Sequence, residues 1–127
     1  MNSANARPEI SVLAVDDEPL ILDLLVESLR ELGFQPVAAS DGTRAVQVLA
    51  EGNAVDLLIT DLQMPGMDGV ELARKAREQR PNIPVLFISG YSPQFHGSEF
   101  NLGRGTSLLT KPFTHERLAR AIKRALE

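Results

Sequence analysis

The chain has 127 residues, 43% of them hydrophobic and 24% charged, which suits one globular domain with a core to bury. Its net charge of −4 offers no basic footprint for nucleic acid, and the absence of cysteine excludes disulfides and thiol chemistry. No apolar stretch reaches the ~18 residues that a membrane-spanning helix needs. Residues 1–8 are polar and lack the apolar segment of a signal peptide. They read as a flexible tail on a domain spanning 9–127, with a cytoplasmic location and neither nucleic acid nor membrane as partner.

Ile10 to Val15 is a β-branched apolar run and reads as a buried strand that ends at Asp16-Asp17-Glu18. Pro19 suits the first turn of a helix, where its missing N–H costs nothing. Ile21, Leu25, Ser28/Leu29 and Leu32 follow at helical spacing, and Gly33 is a plausible stop. Gln35 to Ala39 is a weaker strand whose Pro36 lacks a ladder donor, so it belongs at a sheet edge. Asp41-Gly42 is a turn. Ala45, Val46, Val48 and Leu49 mark a second helix that ends near Gly52.

Residues 56–60 form a third strand, whose apolar run Leu57-Leu58-Ile59 delivers Asp61 at its exit, followed by a loop with Pro65, Gly66 and Gly69. A third helix over 70–79 is amphipathic through Val70, Ala73 and Ala76/Arg77. Pro81 and Pro84 bracket a loop before the buried strand Val85 to Ile88, which ends at Ser89-Gly90. Residues 91–106 are read as a short, poorly formed helix. Leu108-Leu109 is a fifth strand, ending at Thr110-Lys111-Pro112. Thr114 caps a last helix that presents Leu118, Ala121/Ile122 and Ala125 inward and an i,i+4 pair, Glu116 and Arg120, outward. That helix runs to Glu127, so one domain is expected. His96 and His115 have no neighbouring ligand set and read as surface residues.

Five strand–helix repeats imply an α/β fold, doubly wound, with a parallel sheet covered on both faces. In such a sheet every strand's C-terminal end lies on one edge, where ligands bind. Strand one brings Asp16 and Asp17 there, strand three Asp61, strand four Ser89 and strand five Lys111. Three crowded carboxylates repel and raise one another's pKa unless a proton or a cation intervenes. Hard oxygen ligands with open positions suit Mg²⁺. A lysine, a hydroxyl and a divalent ion around one carboxylate form a receptor for a phosphoryl group, with Asp61 as nucleophile.

Asp16-Asp17, Asp61 with Met64-Pro65-Gly66-Met67-Asp68-Gly69, Ser89 and Lys111-Pro112-Phe113 together resemble the receiver domain of two-component response regulators, over about residues 9–126. The resemblance implies a flavodoxin-like three-layer (βα)5 sandwich with strand order 2-1-3-4-5. It implies that a partner histidine kinase or phosphotransfer protein phosphorylates Asp61. It further implies direct Mg²⁺ ligation by Asp17, Asp61 and the Gln63 carbonyl, with Asp16 acting through water. Ser89 and Lys111 would bind the phosphoryl oxygens, and the Lys111–Pro112 bond would be cis. Phosphorylation would then shift the face built from the fourth and fifth strands and the helices after them, and so control a downstream protein.

One position departs from the family pattern. Three residues before the lysine the family carries a Tyr or Phe, and here that place holds Leu108, with no ring to reorient; Tyr91, two past Ser89, is a candidate substitute or a shield for the site mouth. The run Phe87 to Ser92 looks most like receivers at the end of hybrid sensor kinases, and a stand-alone regulator fits equally well. Two other functions compete. A turnover phosphatase with an aspartate nucleophile would usually carry Asp-x-Asp after strand one, whereas here the acids are adjacent. A receiver fold that binds a partner without phosphorylation would not need all five site residues. No Gly-rich loop follows strand one, which disfavours a nucleotide site.

Overall fold

The computed structural model describes residues 9–90 and 105–127. Five parallel strands, β1 (Ser11–Val15), β2 (Gln35–Ala39), β3 (Leu57–Asp61), β4 (Val85–Ser89) and β5 (Thr106–Thr110), form one sheet in the order β2-β1-β3-β4-β5. Four helices accompany them among the described residues: α1 (Pro19–Glu31), α2 (Gly42–Ala50), α3 (Gly69–Gln79) and α4 (His115–Leu126). The expected tail at 1–8, most of the expected helix in 91–106, Tyr91 and His96 lie outside the described residues.

Alternate side chains of each strand feed opposite faces, as the pleat requires. Leu13, Val15, Leu58, Val85 and Phe87 pack with Ala45, Val48 and Leu49 of α2 and Leu72, Ala73 and Ala76 of α3. Val12, Ala14, Leu57, Ile59, Leu86 and Ile88 pack with Leu25 and Leu29 of α1 and Leu118, Ile122 and Ala125 of α4. The inner strands β1, β3 and β4 are therefore apolar on both faces, which is what makes them legible as a parallel sheet.

Several local signals act as expected. Pro19 opens α1. Gly33 and Gly52 follow the C-caps of α1 and α2 at φ 93° and 84°, the left-handed conformation that ends a helix at low cost only with glycine. Pro36 sits in the edge strand β2. The Thr114 hydroxyl accepts from the Arg117 amide and caps α4.

Other details differ. The buried residues of α3 are Gly69, Leu72, Ala73 and Ala76, with Val70 half-buried against the same core, so the expected face through Val70, Ala73 and Ala76 holds and Leu72 widens it. β5 spans Thr106–Thr110 rather than Leu108-Leu109 alone, since its backbone pairs with all of β4 while Leu109 is its one buried side chain. Glu116 and Arg120 form no ion pair in the structure. Both are exposed, where such a pair is worth only about 0.3–0.5 kcal/mol against the entropy of holding two long side chains. His115 is on the surface and faces Glu31 of α1 at 3.7 Å.

Candidate functional site

β1, β3, β4 and β5 all end at one edge of the sheet, and their exits converge there. β1 stops at Val15, and Asp16 follows it, 1% exposed. Its Oδ1 accepts the Glu18 amide at 2.9 Å, which tucks Asp16 under the start of α1. Asp61 is the last residue of β3 and is 6% exposed. Its Oδ1 accepts the Gln63 amide at 3.2 Å. Lys111 follows β5 directly, and its amide donates to the Ser89 carbonyl at 2.7 Å. The Lys111–Pro112 peptide is cis.

The Lys111 ammonium lies at the centre of the acids. Nζ donates to Asp61 Oδ2 at 3.1 Å and to Glu18 Oε1 at 3.4 Å, and stands 3.3 Å from Asp16 Oδ2. The last contact is a charge contact only, because Asp16 Oδ2 is buried and accepts no hydrogen bond. Burial holds the Asp16 carboxyl above the ordinary aspartate range. The Glu18 amide and the Lys111 charge oppose that shift, and the Asp61 charge adds to it. Burial by itself would lower the Lys111 pKa, but the hydrogen bond to Asp61 and the charges of Asp61 and Asp16 outweigh it and keep the lysine above its usual value.

Carboxylate oxygens of Asp16, Glu18 and Asp61 all lie within 4.8 Å of one another. Glu18 was not singled out by the sequence, and Asp17, which was, is exposed and stands outside this cluster. The cause is local. The chain bends at Asp17 and Glu18, and the Glu18 amide turns back onto Asp16 Oδ1. From there the long, exposed Glu18 side chain reaches the Lys111 ammonium, while Asp17 stands outside the group. A bend of this kind carries no periodicity by which the sequence could mark Glu18. These residues fit a hard divalent cation: the donors are oxygens, they carry excess negative charge, and one buried oxygen lacks a hydrogen-bond partner.

The loop after β3 is built to hold Asp61 still. Leu62 and Met64 are buried beneath it, and the Asp68 side chain caps α3 by accepting the Glu71 amide at 2.8 Å. The Gly69 amide donates to the Leu62 carbonyl at 2.8 Å. A Cβ on Gly69 would stand 2.2 Å from the Asp61 carbonyl oxygen, so only glycine lets α3 begin against the strand end.

Ser89 is buried at the end of β4, beyond Ile88, the register partner of Asp61. Its hydroxyl donates to the Gly90 carbonyl at 2.7 Å and makes no hydrogen bond to Asp61. Leu108 is 42% exposed on β5, level with Phe87.

Residues 12–123 match the family described as the response regulator receiver domain. This chain belongs to that family. Similar receivers include the CpdR response regulator receiver protein of Brucella abortus, 32% identical over 91% of this chain and 95% of that protein. The uncharacterized transcriptional regulatory protein YrkP of Bacillus subtilis is 39% identical, but this chain spans only 45% of it. The sensor kinase CckA of Brucella abortus is 33% identical, and this chain spans 12% of it. Among solved structures, a receiver protein from Sinorhizobium medicae aligns with a TM-score of 0.83 at 33% identity, covering 93% of this chain and 94% of that one. The receiver domain of hybrid kinase CckA aligns at 0.76 and 32% identity, covering 92% and 99%. The receiver family supplies phosphate-accepting signalling switches of two-component systems rather than turnover enzymes in general, and its members work with sensor kinases or phosphotransfer proteins. Among the described residues of this receiver, no helix is long and apolar enough to cross a membrane.

Proposed function

We propose that this receiver accepts a phosphoryl group on the Asp61 carboxylate from the phosphohistidine of a cytoplasmic sensor kinase or phosphotransfer protein. The observation that carries the reading is the 3.1 Å bond from Lys111 to a nearly buried Asp61 that belongs to a converging acidic cluster. An Asp61 oxygen forms the new P–O bond as the P–N bond to the donor imidazole breaks, and the imidazole leaves with the electron pair. Lys111, held in its charged form by its neighbours, stands where non-bridging phosphoryl oxygens need a donor. Ser89 can turn its hydroxyl from the Gly90 carbonyl toward the same group. Water later releases the phosphate, so the cycle is that of a switch and not of a turnover enzyme. The added charge of about −1.5 to −2 then shifts the face around β4 and β5 toward a partner-binding form.

Mg²⁺ would be held here by Asp61 and the Gln63 carbonyl, with Asp16 acting through water, and by Asp17, which stands outside the acidic cluster and would have to turn in to complete the set. When bound it supplies charge neutralisation at the transferring group. In this reading Lys111 leaves Glu18 when the phosphoryl group arrives, and Glu18 stays at the rim.

The deciding experiment is incubation with acetyl phosphate, which requires no cognate kinase. The chain should take up one phosphate in the presence of Mg²⁺, and Asp61→Asn should take up none. Equal labelling of Asp61→Asn would sink the reading. A second comparison separates the two rim acids. Asp17→Asn should weaken Mg²⁺ binding by about tenfold or more, whereas Glu18→Gln should change it by less than about threefold, both read by calorimetric titration. The reverse ranking would give the third carboxylate to Glu18.

A further inference from the structure

Arg77, on the far side of the molecule from this cluster, is part-buried in α3 and makes three hydrogen bonds with one guanidinium. Nε donates to the Ile83 carbonyl at 3.1 Å, and Nη2 donates to the Gly105 carbonyl at 3.3 Å and to Thr106 Oγ1 at 3.2 Å. No described carboxylate lies within ion-pair distance of it. Its charge is spent wholly on the residues that lead into β4 and begin β5. Gly105 holds φ +77°, a conformation that L side chains rarely adopt, and its carbonyl also accepts the Val85 amide at 2.7 Å. The planar fork of arginine suits two fixed acceptors at once, which a lysine cannot match.

β5 needs such a clamp more than its neighbours do. Among the described residues it is an edge strand, paired with β4 alone, and Leu109 is its single buried side chain. A weakly anchored strand is prone to slip in register. Its far end carries Lys111, whose reach to Asp61 depends on where Thr106 is fixed about five residues earlier, roughly 16 Å along the strand.

We propose that Arg77 is a positioning residue for the phosphoryl site: by locking Gly105 and Thr106 it sets the register of β5 against β4 and thereby places Lys111 on Asp61. The proposal rests on the phosphoacceptor reading of Asp61. It gives β5 placement a signature of its own: the acids follow β1 and β3 and stay in place, while a displaced Lys111 no longer competes for them with a bound cation.

Phosphorylation by acetyl phosphate at saturating Mg²⁺, together with Mg²⁺ affinity, tests it. Arg77→Ala should slow labelling about tenfold, since an ångström of misplacement at a reacting centre costs on the order of 10²-fold or less. Its Mg²⁺ affinity should be no weaker than that of wild type, because the acids are not moved and a displaced Lys111 repels the ion less. Arg77→Lys should recover part of the rate, and Thr106→Val should lose a smaller part. Arg80 is the control: it also ends α3, but its Nη2 donates to the Leu49 carbonyl at 3.1 Å on the α2 side. Arg80→Ala should label at the wild-type rate. The clamp is overturned if Arg77→Ala labels as fast as wild type, or if Arg80→Ala slows it equally. Should Arg77→Ala fail to fold, wild-type rates in both folded Arg77→Lys and Thr106→Val overturn it as well. A wild-type chain that takes up no phosphate overturns the Asp61 reading itself.

Discussion

Lys111→Met is expected to slow phosphorylation of Asp61 by about 10²–10³-fold, the usual loss when one donor to a developing oxyanion is removed. The structure gives this substitution a second consequence, for stability. Among the described residues Lys111 is the cation paired with Asp16, Glu18 and Asp61 alike. Burial already holds the Asp16 carboxyl above the ordinary aspartate range, and Lys111 joins the Glu18 amide in opposing that shift. A carboxyl whose folded pKa is raised binds its proton more tightly in the native state. Stability therefore falls as pH rises from the ordinary aspartate value through the folded one, and the deficit is complete above it. Removing Lys111 should enlarge the deficit, so the variant should unfold at a lower temperature than wild type at pH 7 and approach it at low pH. The wild-type lysine works in the opposite sense. Its raised pKa contributes stability that is present below the usual lysine value and is lost as pH rises past the folded one. Thermal unfolding across pH checks both. Added Mg²⁺ should restore much of the variant's neutral-pH stability without restoring its phosphorylation rate. Recovery of both would show that Lys111 serves only as a counter-charge.

Gly69→Ala should be the most damaging single methyl addition near the site. In a helix interior, alanine normally gains about 0.5–1 kcal/mol over glycine. Here the new Cβ would meet the Asp61 carbonyl oxygen at 2.2 Å, and the Asp61 carbonyl carbon and Leu62 Cα at 3.0 Å each. All three atoms are backbone, so either α3 or the end of β3 must move. Overpacking of this kind costs on the order of 1–3 kcal/mol, which outweighs the propensity gain. Because the displaced backbone carries Asp61, phosphorylation should fall in the protein that remains folded. Gly42→Ala is a useful contrast, since its closest neighbour is the flexible Met67 side chain, with Sδ at 2.8 Å. The Met67 Sδ and Cγ can turn aside and only its Cβ, at 3.0 Å, must give by a few tenths of an ångström, so Gly42→Ala should unfold at a temperature closer to wild type. Denaturant melts paired with acetyl phosphate labelling would show the ranking, and a Gly69→Ala protein as stable and as active as wild type would refute the account.

Much of the fold was legible because the strands are buried on both faces. Val12 to Val15, Leu57 to Ile59 and Val85 to Ile88 each read as unbroken apolar runs. Glycine and proline punctuation at Pro19, Gly33 and Gly52 marked helix ends correctly. Edges of elements were less legible. β5 has one buried residue, so most of its length is held by backbone hydrogen bonds that side-chain pattern does not record. The face of α3 was assigned through Val70, Ala73 and Ala76, which do meet the core, but its width was underestimated: Leu72, about 100° around the helix from Ala73, is buried as well.

Sequence order alone determined that a carboxylate, a hydroxyl and a lysine leave successive strands at the same place in their repeats, and parallel pairing carries them to one edge whatever lies between. Tertiary structure decided which neighbours they meet there. It brought the exposed Glu18 side chain to Lys111 and kept Asp17 out of the cluster, left Asp16 Oδ2 without a hydrogen bond, pressed Gly69 against the Asp61 backbone, and gave Arg77 two strand ends to hold. Those outcomes depend on side-chain direction and on close approach between segments distant in the chain, and neither is written in the periodicity of any single segment.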